Sequence, residues 1–401
     1  MPSVLLITPP PTNTHHAHAD ESRLYRVTSP SEYSTSLSAA SIARYDSIGP
    51  FHTPCAFTGI SNCSVSSPSP WCSQQQSITK PSPLPPSFPA RLPRVPDAQP
   101  LQFVESGTAG FLHPQKMVAL QQKLFLQMGR ENARIHFSVV TGLDRCEDGS
   151  VVVTSADGRR HQAKVVLLAC GAFTNTIPIS PALGLPSPVL ENIALKTQSV
   201  VYFRISPEDA SKLPSCTIIY AGPTKGMGDS EIAEDSFYYV PPVNRDDGTV
   251  WAKMGHGKEL EQTLSPSTSA EVIDRWYEHG DAANDARCLE VIESQFRQFF
   301  PNVYILEATL NRNGVTMDTD DGRVACRMLG EDGAVAVCAG CNGGGAKLSD
   351  EVGRLCAEMV LEALGKKKRA PSRKPKPKSW WHTEDPYYDD TESPQIGCGV
   401  G

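Results

Sequence analysis

The residues best placed to do chemistry stand in one stretch, GAVAVCAGCNGGGAKLSDEVGRLC. There an apolar run passes through a glycine-rich turn into an amphipathic pattern. Gly340, Gly343, Gly344 and Gly345 remove side chains where backbone must approach a ligand closely. The helix predicted to follow presents free N–H groups and a positive dipole end to that turn. Such a junction suits an anion or the electron-rich edge of a ring. Lys347 adds a fixed positive charge at the helix start. A tight strand-to-helix turn without a ligand would use the same residues, so the pattern alone leaves both readings open. A second junction, VVLLACGAFTN, brings an apolar strand to Gly171 and Ala172. The dinucleotide fingerprint G-x-G-x-x-G after a strand is absent from the sequence.

Cysteine and histidine offer weaker signals. Cys338-Ala-Gly-Cys341 is a C-x-x-C, which could be a redox dithiol or half a zinc site. No second cysteine pair or neighbouring histidine completes a metal site, and Cys338 ends an apolar strand, so a packed cysteine is the plainer reading. His15, His16 and His18 cluster in a Pro-rich arm, and His256 could line a pocket or end a strand. No metal site is expected.

The elements that must position these residues follow from periodicity. Ser31 caps a helix carrying Tyr33, Leu37, Ala40 and Ile42 on one side. Pro114 to Asn132 is an amphipathic helix, with Met117, Leu120, Leu124 and Met128 at three- and four-residue steps. Short strands follow, and VVLLA reads as a strand covered on both faces. Residues 195–260 are strand-rich, 268–300 form two helices, strands lie near Tyr304–Leu310 and Ala334–Ala339, and a last helix spans Lys347 to Leu364. Gly49 to Pro96 holds eleven prolines and many serines, a density that excludes packed elements.

Composition bounds the class. The chain has 401 residues, a formal net charge of −7 and 39% hydrophobic residues, enough for a sizeable core. No apolar run approaches the roughly 20 residues a membrane-spanning helix needs. Lys366 to Lys378 holds eight Lys or Arg and Ser379 to Gly401 five acids, which leaves the rest of the chain acidic and argues against nucleic acid as a partner. The basic run reads as a solvated tail or a nuclear import signal. Twelve scattered cysteines suggest a reducing compartment, and no signal peptide or peroxisomal tripeptide is present; an intracellular, cytoplasmic protein is expected.

Taken in order, HADESRLYR, ESGTAGFLHPQKMVALQ, VVLLACGAFTN, FYYVPPVNRDDGTVWAKMGHG and CAGCNGGGAKLSDEVG resemble the FAD-dependent oxidoreductases of the D-amino-acid-oxidase-like superfamily, in the sarcosine oxidase and fructosyl-amine oxidase branch. The resemblance covers Asp20–Ile48 and Leu101–Leu364. It implies a mixed α/β fold: a Rossmann-like FAD/NAD(P)-binding domain, truncated at its N-terminus, with an antiparallel-sheet substrate domain. The implied organisation is a flexible arm (1–19), a flavin-side segment (20–48), a Pro/Ser-rich disordered insertion (49–100), a continuation of the cofactor domain (101–194), a substrate domain (195–310), the last part of the cofactor domain (311–365) and a disordered tail (366–401).

By resemblance, Lys253 sits over the flavin and stabilises negative charge developing on oxygen. Lys347 and Arg26 bind a substrate carboxylate, for which a planar guanidinium is suited. Arg23 lies near the flavin ring, unless it is a surface ion pair with Asp20 or Glu21, and Tyr238 lines the substrate pocket. Asn313 stands where the branch's flavin-bonding cysteine would align, so FAD is expected to be non-covalent. The family's first β-α-β unit should precede Asp20 and needs roughly 30 residues. Nineteen precede it, so that unit is not expected and FAD binding would be impaired. The implied reaction takes a hydride equivalent from the carbon beside a secondary amine, an N-methyl or glycated amino acid, and passes electrons to molecular oxygen. The alternative is an inactive homologue serving as a binding protein; a NAD-dependent dehydrogenase ranks lowest.

Overall fold

The computed structural model describes residues 3–11, 15, 21–29, 31–61, 82–84, 88, 92, 100–221, 236–256, 260–330 and 332–365. The basic run and the acidic tail beyond it, His16 and His18 fall outside these residues. No helix among them is long and apolar enough to cross a membrane.

Two large hydrophobic cores and two smaller clusters organise the described residues. The first lies on a sheet of nine strands among the described residues. Its centre is Ile193–Ile205, Val250–His256, Phe237–Asn244 and Thr217–Ala221, all antiparallel neighbours, continued by Phe57–Ser61 parallel to Thr217–Ala221. The helix Ala282–Phe299 covers one face, with Phe296 stacked on Phe203 at 4.1 Å. Asp281 caps that helix by accepting from the amides of Ala283 and Asn284.

The second core contains the glycine junctions. Val166–Leu168 runs parallel to Val335–Val337 within Val335–Ala339, which pairs antiparallel with Ala325–Leu329. Leu168, Val335, Val337 and Ala339 are buried there together with Val315 and Met317. A separate parallel pair, Val4–Thr8 with Ala133–Phe137, packs Ile7 against the same core. The antiparallel meander Val140–Arg145, Val151–Ser155 and Arg160–Ala163 completes this half.

Two very long strands join the halves. Ile193–Ile205 and Ile305–Thr319 are paired from Ile193↔Thr319 to Ile205↔Ile305. Their outer ends feed different cores: Val201, Phe203 and Ile305 the first, Ile193, Leu195, Val315 and Met317 the second. The boundaries expected at 194/195 and 310/311 therefore fall inside continuous strands.

Two further expectations are corrected. Val4–Thr8, read as part of a flexible arm, is a strand; the prolines at 9, 10 and 11 mask a short apolar run that pairs in parallel with a distant segment. Ordered structure also extends past position 49. Phe51 is buried, and all five residues of Phe57–Ser61 are buried in the large sheet. Averaging proline over residues 49–96 hid that strand, which Pro54 precedes without interrupting. The capped helix is confirmed as Glu32–Ile42, with Ser31 accepting from the amide of Ser34. The amphipathic helix is Pro114–Gly129, closed by a tight turn at Arg130–Asn132.

Candidate active site

The two glycine elbows lie at the carboxyl ends of adjacent parallel strands, Val166–Leu168 and Val335–Ala339. At the first, Gly171 has φ +54 and opens the short helical turn Gly171–Thr176, with Ala172 buried behind it. At the second, Gly340 and Gly343 have φ of +73 and +71. Gly340 serves the chain itself: a Cβ there would stand 2.4 Å from the Thr319 methyl carbon. Gly344 and Gly345 lie against Cys341. Gly343 and Gly171, by contrast, have nothing within 4 Å of a Cβ position, so both elbows carry open space that a flat ligand could use. Asn342 fixes the turn, donating to the carbonyl of Gly340 at 2.7 Å and accepting from the amide of Thr319 at 2.8 Å. The helix Gly345–Ala363 starts there.

The helix that leaves the second elbow packs against the segment Ser22–Ser29, which contains the strand Arg23–Arg26. Both lysines named by resemblance reach it. Lys347 Nζ donates to the Ser29 hydroxyl at 2.5 Å. Lys253 Nζ donates to the Ser22 carbonyl at 2.5 Å, is 2% exposed and lies 5.6 Å from the Tyr202 ring centroid. Burial holds the Lys347 ammonium well below the usual lysine range; the Arg26 charge adds to that effect and Glu105 opposes it. Arg26 is buried, its Nη1 donates to the Thr28 carbonyl, and its guanidinium lies 4.8 Å from the Phe57 ring centroid. Burial pulls it down to about 10, with Glu105 opposing, so it stays charged at neutral pH. Arg26 Nε is buried without a hydrogen-bond partner among the described residues. An orphaned, buried donor of this kind is a place where an acceptor from a ligand would be favoured.

Glu105 organises this segment and was not singled out from the sequence. Its carboxylate accepts from the amides of Val27 and Thr28 at 2.7 and 3.0 Å, from the Thr28 hydroxyl, and from the Thr108 hydroxyl at 2.8 Å. A lone acid ending the apolar run LQFV was the only signal available.

Tyr238 pairs opposite Gly255, and its ring lies where a Cβ on that glycine would stand. Residues 253 and 255 share a sheet face because side chains alternate along a strand, so Tyr238 and Lys253 belong to one face. Arg23 lies opposite Leu112, with its charge reaching the Tyr277 phenol. Glu21 pairs with Arg245 at 2.8 Å. Asn313 is on the long strand Ile305–Thr319, and its side chain is outside the described residues. His15 pairs with Asp274 at 2.8 Å and stacks on Tyr277. A cavity of about 400 Å³ lined by Lys212 and residues 300–303 belongs to another part of the chain.

These residues fit the ring end of a flavin: two open elbows, three cations and one unpartnered buried donor. They do not supply a cradle for a dinucleotide's phosphates after Val4–Thr8. The described residues that follow it are Pro9, Pro10 and Pro11, and proline has no N–H to donate.

The family model described as FAD dependent oxidoreductase matches residues 76–359. No curated protein is a significant sequence match. Solved structures with the same fold include NikD, an unusual amino acid oxidase essential for nikkomycin biosynthesis, at 16% identity and TM-score 0.64, covering 90% of this chain and 88% of that one. Amadoriase I, a fructosyl amine: oxygen oxidoreductase from Aspergillus fumigatus, matches at 14% identity and TM-score 0.59, covering 89% and 80%. A modified fructosyl peptide oxidase from Aspergillus nidulans matches at 14% identity and TM-score 0.61, covering 90% and 83%.

Proposed function

The chain belongs to the FAD-dependent oxidoreductase family, and from that premise we propose that it oxidises the C–N bond of a secondary amine. The substrate class is an N-alkyl or glycated amino acid, and molecular oxygen is the final acceptor. FAD, held without a covalent bond, would take up the hydride equivalent from the carbon beside the nitrogen. The chain's own residues would do the rest. Arg26 and Lys347 are the pair to grip a substrate carboxylate, because both cations meet at one end of the Ser22–Ser29 segment. Lys253 would stabilise negative charge developing on oxygen. Tyr238, on the same sheet face, would border the amine's side chain. The resulting imine hydrolyses in water without help from the protein.

One observation carries this reading: Lys253 and Lys347 arrive from different segments and bond the two ends of one short stretch that packs on the helix leaving the second elbow. The test is reconstitution of the purified full chain with FAD, followed by peroxide detection with sarcosine, pipecolate and fructosyl-valine. Flavin retained through gel filtration, together with peroxide from at least one amine, is the expected result. A chain that neither retains flavin nor gains thermal stability from it would be the inactive binding homologue, a reading favoured by the prolines that follow Val4–Thr8.

A further inference from the structure

A smaller apolar cluster, where the helix Gly345–Ala363 packs on the strands of the second elbow, holds a group of thiols that this chemistry does not use. Cys326 lies on Ala325–Leu329, Cys338 is its register partner on Val335–Ala339, and Cys356 comes down from the helix Gly345–Ala363. Cys326 Sγ and Cys356 Sγ are 3.2 Å apart. A disulfide needs about 2.05 Å, so the approach required is small beside the usual rearrangements of a side chain. Cys356 is 2% exposed and packed with Leu37, Val324, Leu348 and Val352, while Cys326 and Cys338 are half-buried. The oxidant can therefore reach the strand thiols, and the helix thiol is held ready behind them.

The electrostatics agree with that geometry. The hydrogen bond from Cys356 lowers the pKa of Cys326 and of Cys338, against the effect of burial. The same two bonds raise Cys356. Burial pushes Cys341 up to about 12 and Cys170 up to about 11, so neither competes as a nucleophile. Thiolate is the reactive form, and it belongs on the strands. No set of His, Cys, Asp and Glu among the described residues is arranged to hold a metal ion, which leaves oxidation as the chemistry of this cluster.

We propose that Cys326 and Cys356 are a modification site for hydrogen peroxide, closing to a disulfide that ties the elbow helix to its sheet, with Cys338 as the thiol through which the bridge can exchange. The Cys326 thiolate attacks one peroxide oxygen; the O–O bond breaks, giving a sulfenic acid and hydroxide. The Cys356 sulfur then displaces the sulfenic oxygen, forming the S–S bond and releasing water. The hydroxide takes up the proton that left Cys326. In sum, two thiols lose two electrons and one peroxide becomes two waters. The closed loop runs from 326 to 356 and encloses Val335–Ala339, both turn glycines and Lys347. The site does not depend on the oxidase reading, because peroxide from any source serves.

The test uses the full chain, freshly reduced, treated with equimolar hydrogen peroxide and then alkylated. Trypsin releases Cys326 in the peptide 324–327 and Cys356 in the peptide 355–366. The expected result is a cross-link between these two peptides, an intact-mass loss of about 2 Da, and reversal of both by dithiothreitol. The oxidised protein should also melt at a higher temperature than the reduced one. Cys356→Ser should abolish the cross-link and Cys338→Ser should keep it. If Cys356→Ser does not fold, Cys326→Ser on the half-buried strand gives the same readout. Peroxide that oxidises other cysteines while these two remain alkylated overturns the proposal. So does a bridge that involves Cys338 and never joins 326 to 356.

Discussion

Lys347 and Arg26 place two positive charges in a crowded interior where desolvation opposes both, and Glu105 is the acid that offsets them. The consequence for Lys347 is a pH window. Its folded pKa is depressed, so the unfolded chain binds the proton more tightly and this group makes stability rise as pH rises. Ligand binding runs the other way, because a carboxylate needs the charged form. Affinity for a carboxylate inhibitor should fall as pH climbs through Lys347's lowered pKa, well before an ordinary lysine would titrate. Lys347→Arg should carry tight binding to higher pH, and Lys347→Ala should lose about tenfold or more in affinity below that lowered pKa, corresponding to about 1.4 kcal/mol for a charged hydrogen bond. Titration calorimetry across pH reads both, and an affinity independent of pH and of residue 347 would remove it from the site. Lys253→Met should slow flavin reoxidation by oxygen and spare reduction by substrate, measured by stopped flow. At this scale the sequence was only partly legible. Lys347 stood out because three glycines precede it. Arg26 and Lys253 became candidates only through family resemblance, since nothing in their local spacing says that they approach Ser22–Ser29. Glu105 acts through contacts with residues nearly eighty positions away, which no local pattern encodes.

The elbow helix Gly345–Ala363 is held to Glu32–Ile42 by a buried polar knot. Glu351 is almost wholly buried; it accepts from Arg44 at 2.6 Å and from Arg354 at 2.7 Å, and its amide donates to the Ser41 hydroxyl. Burial alone would raise its pKa, but the hydrogen bonds from Arg354 and Arg44 outweigh it and hold the carboxyl low. That contribution is present above the ordinary glutamate range and is lost as pH falls through the depressed folded value. Glu351→Ala should cost about 1–3 kcal/mol from the lost charged hydrogen bonds, because Arg44 keeps Asp350 and Arg354 keeps Glu358, and the loss should shrink in acid. Gly340→Ala should cost about 1–3 kcal/mol from its left-handed backbone and the Thr319 methyl. Gly343→Ala, with the same backbone but open space, should cost less. Thermal melts of the three variants decide these orders. Elements with a capped start and a helical period, such as Glu32–Ile42, could be read directly. Phe57–Ser61 could not, because a five-residue strand beside many prolines gives a weaker signal than the prolines themselves.

The two long strands Ile193–Ile205 and Ile305–Thr319 bind the cores into one body, since each contributes buried residues to both. Urea unfolding should therefore show a single transition, with far-UV circular dichroism and tryptophan fluorescence superimposable; two separated transitions would mean the cores come apart independently. The family resemblance implies boundaries at 194/195 and 310/311, whereas the pairing of these two strands runs through both positions. The second core also leaves two strands one-sided. Among the described residues, Val4–Thr8 pairs only with Ala133–Phe137, and Val166–Leu168 only with Val335–Val337. Val4, Leu5, Leu6 and Leu167 are large apolar residues exposed on them. Unsatisfied N–H and C=O groups beside apolar side chains form a template for a foreign strand. A concentrated solution of this protein should thus be prone to polymerise through its own N-terminal ribbon, and Leu5→Lys should suppress the light scattering that reports it. Storage at low concentration would then protect the preparation better than any added salt, because the seed of the precipitate is built into each copy.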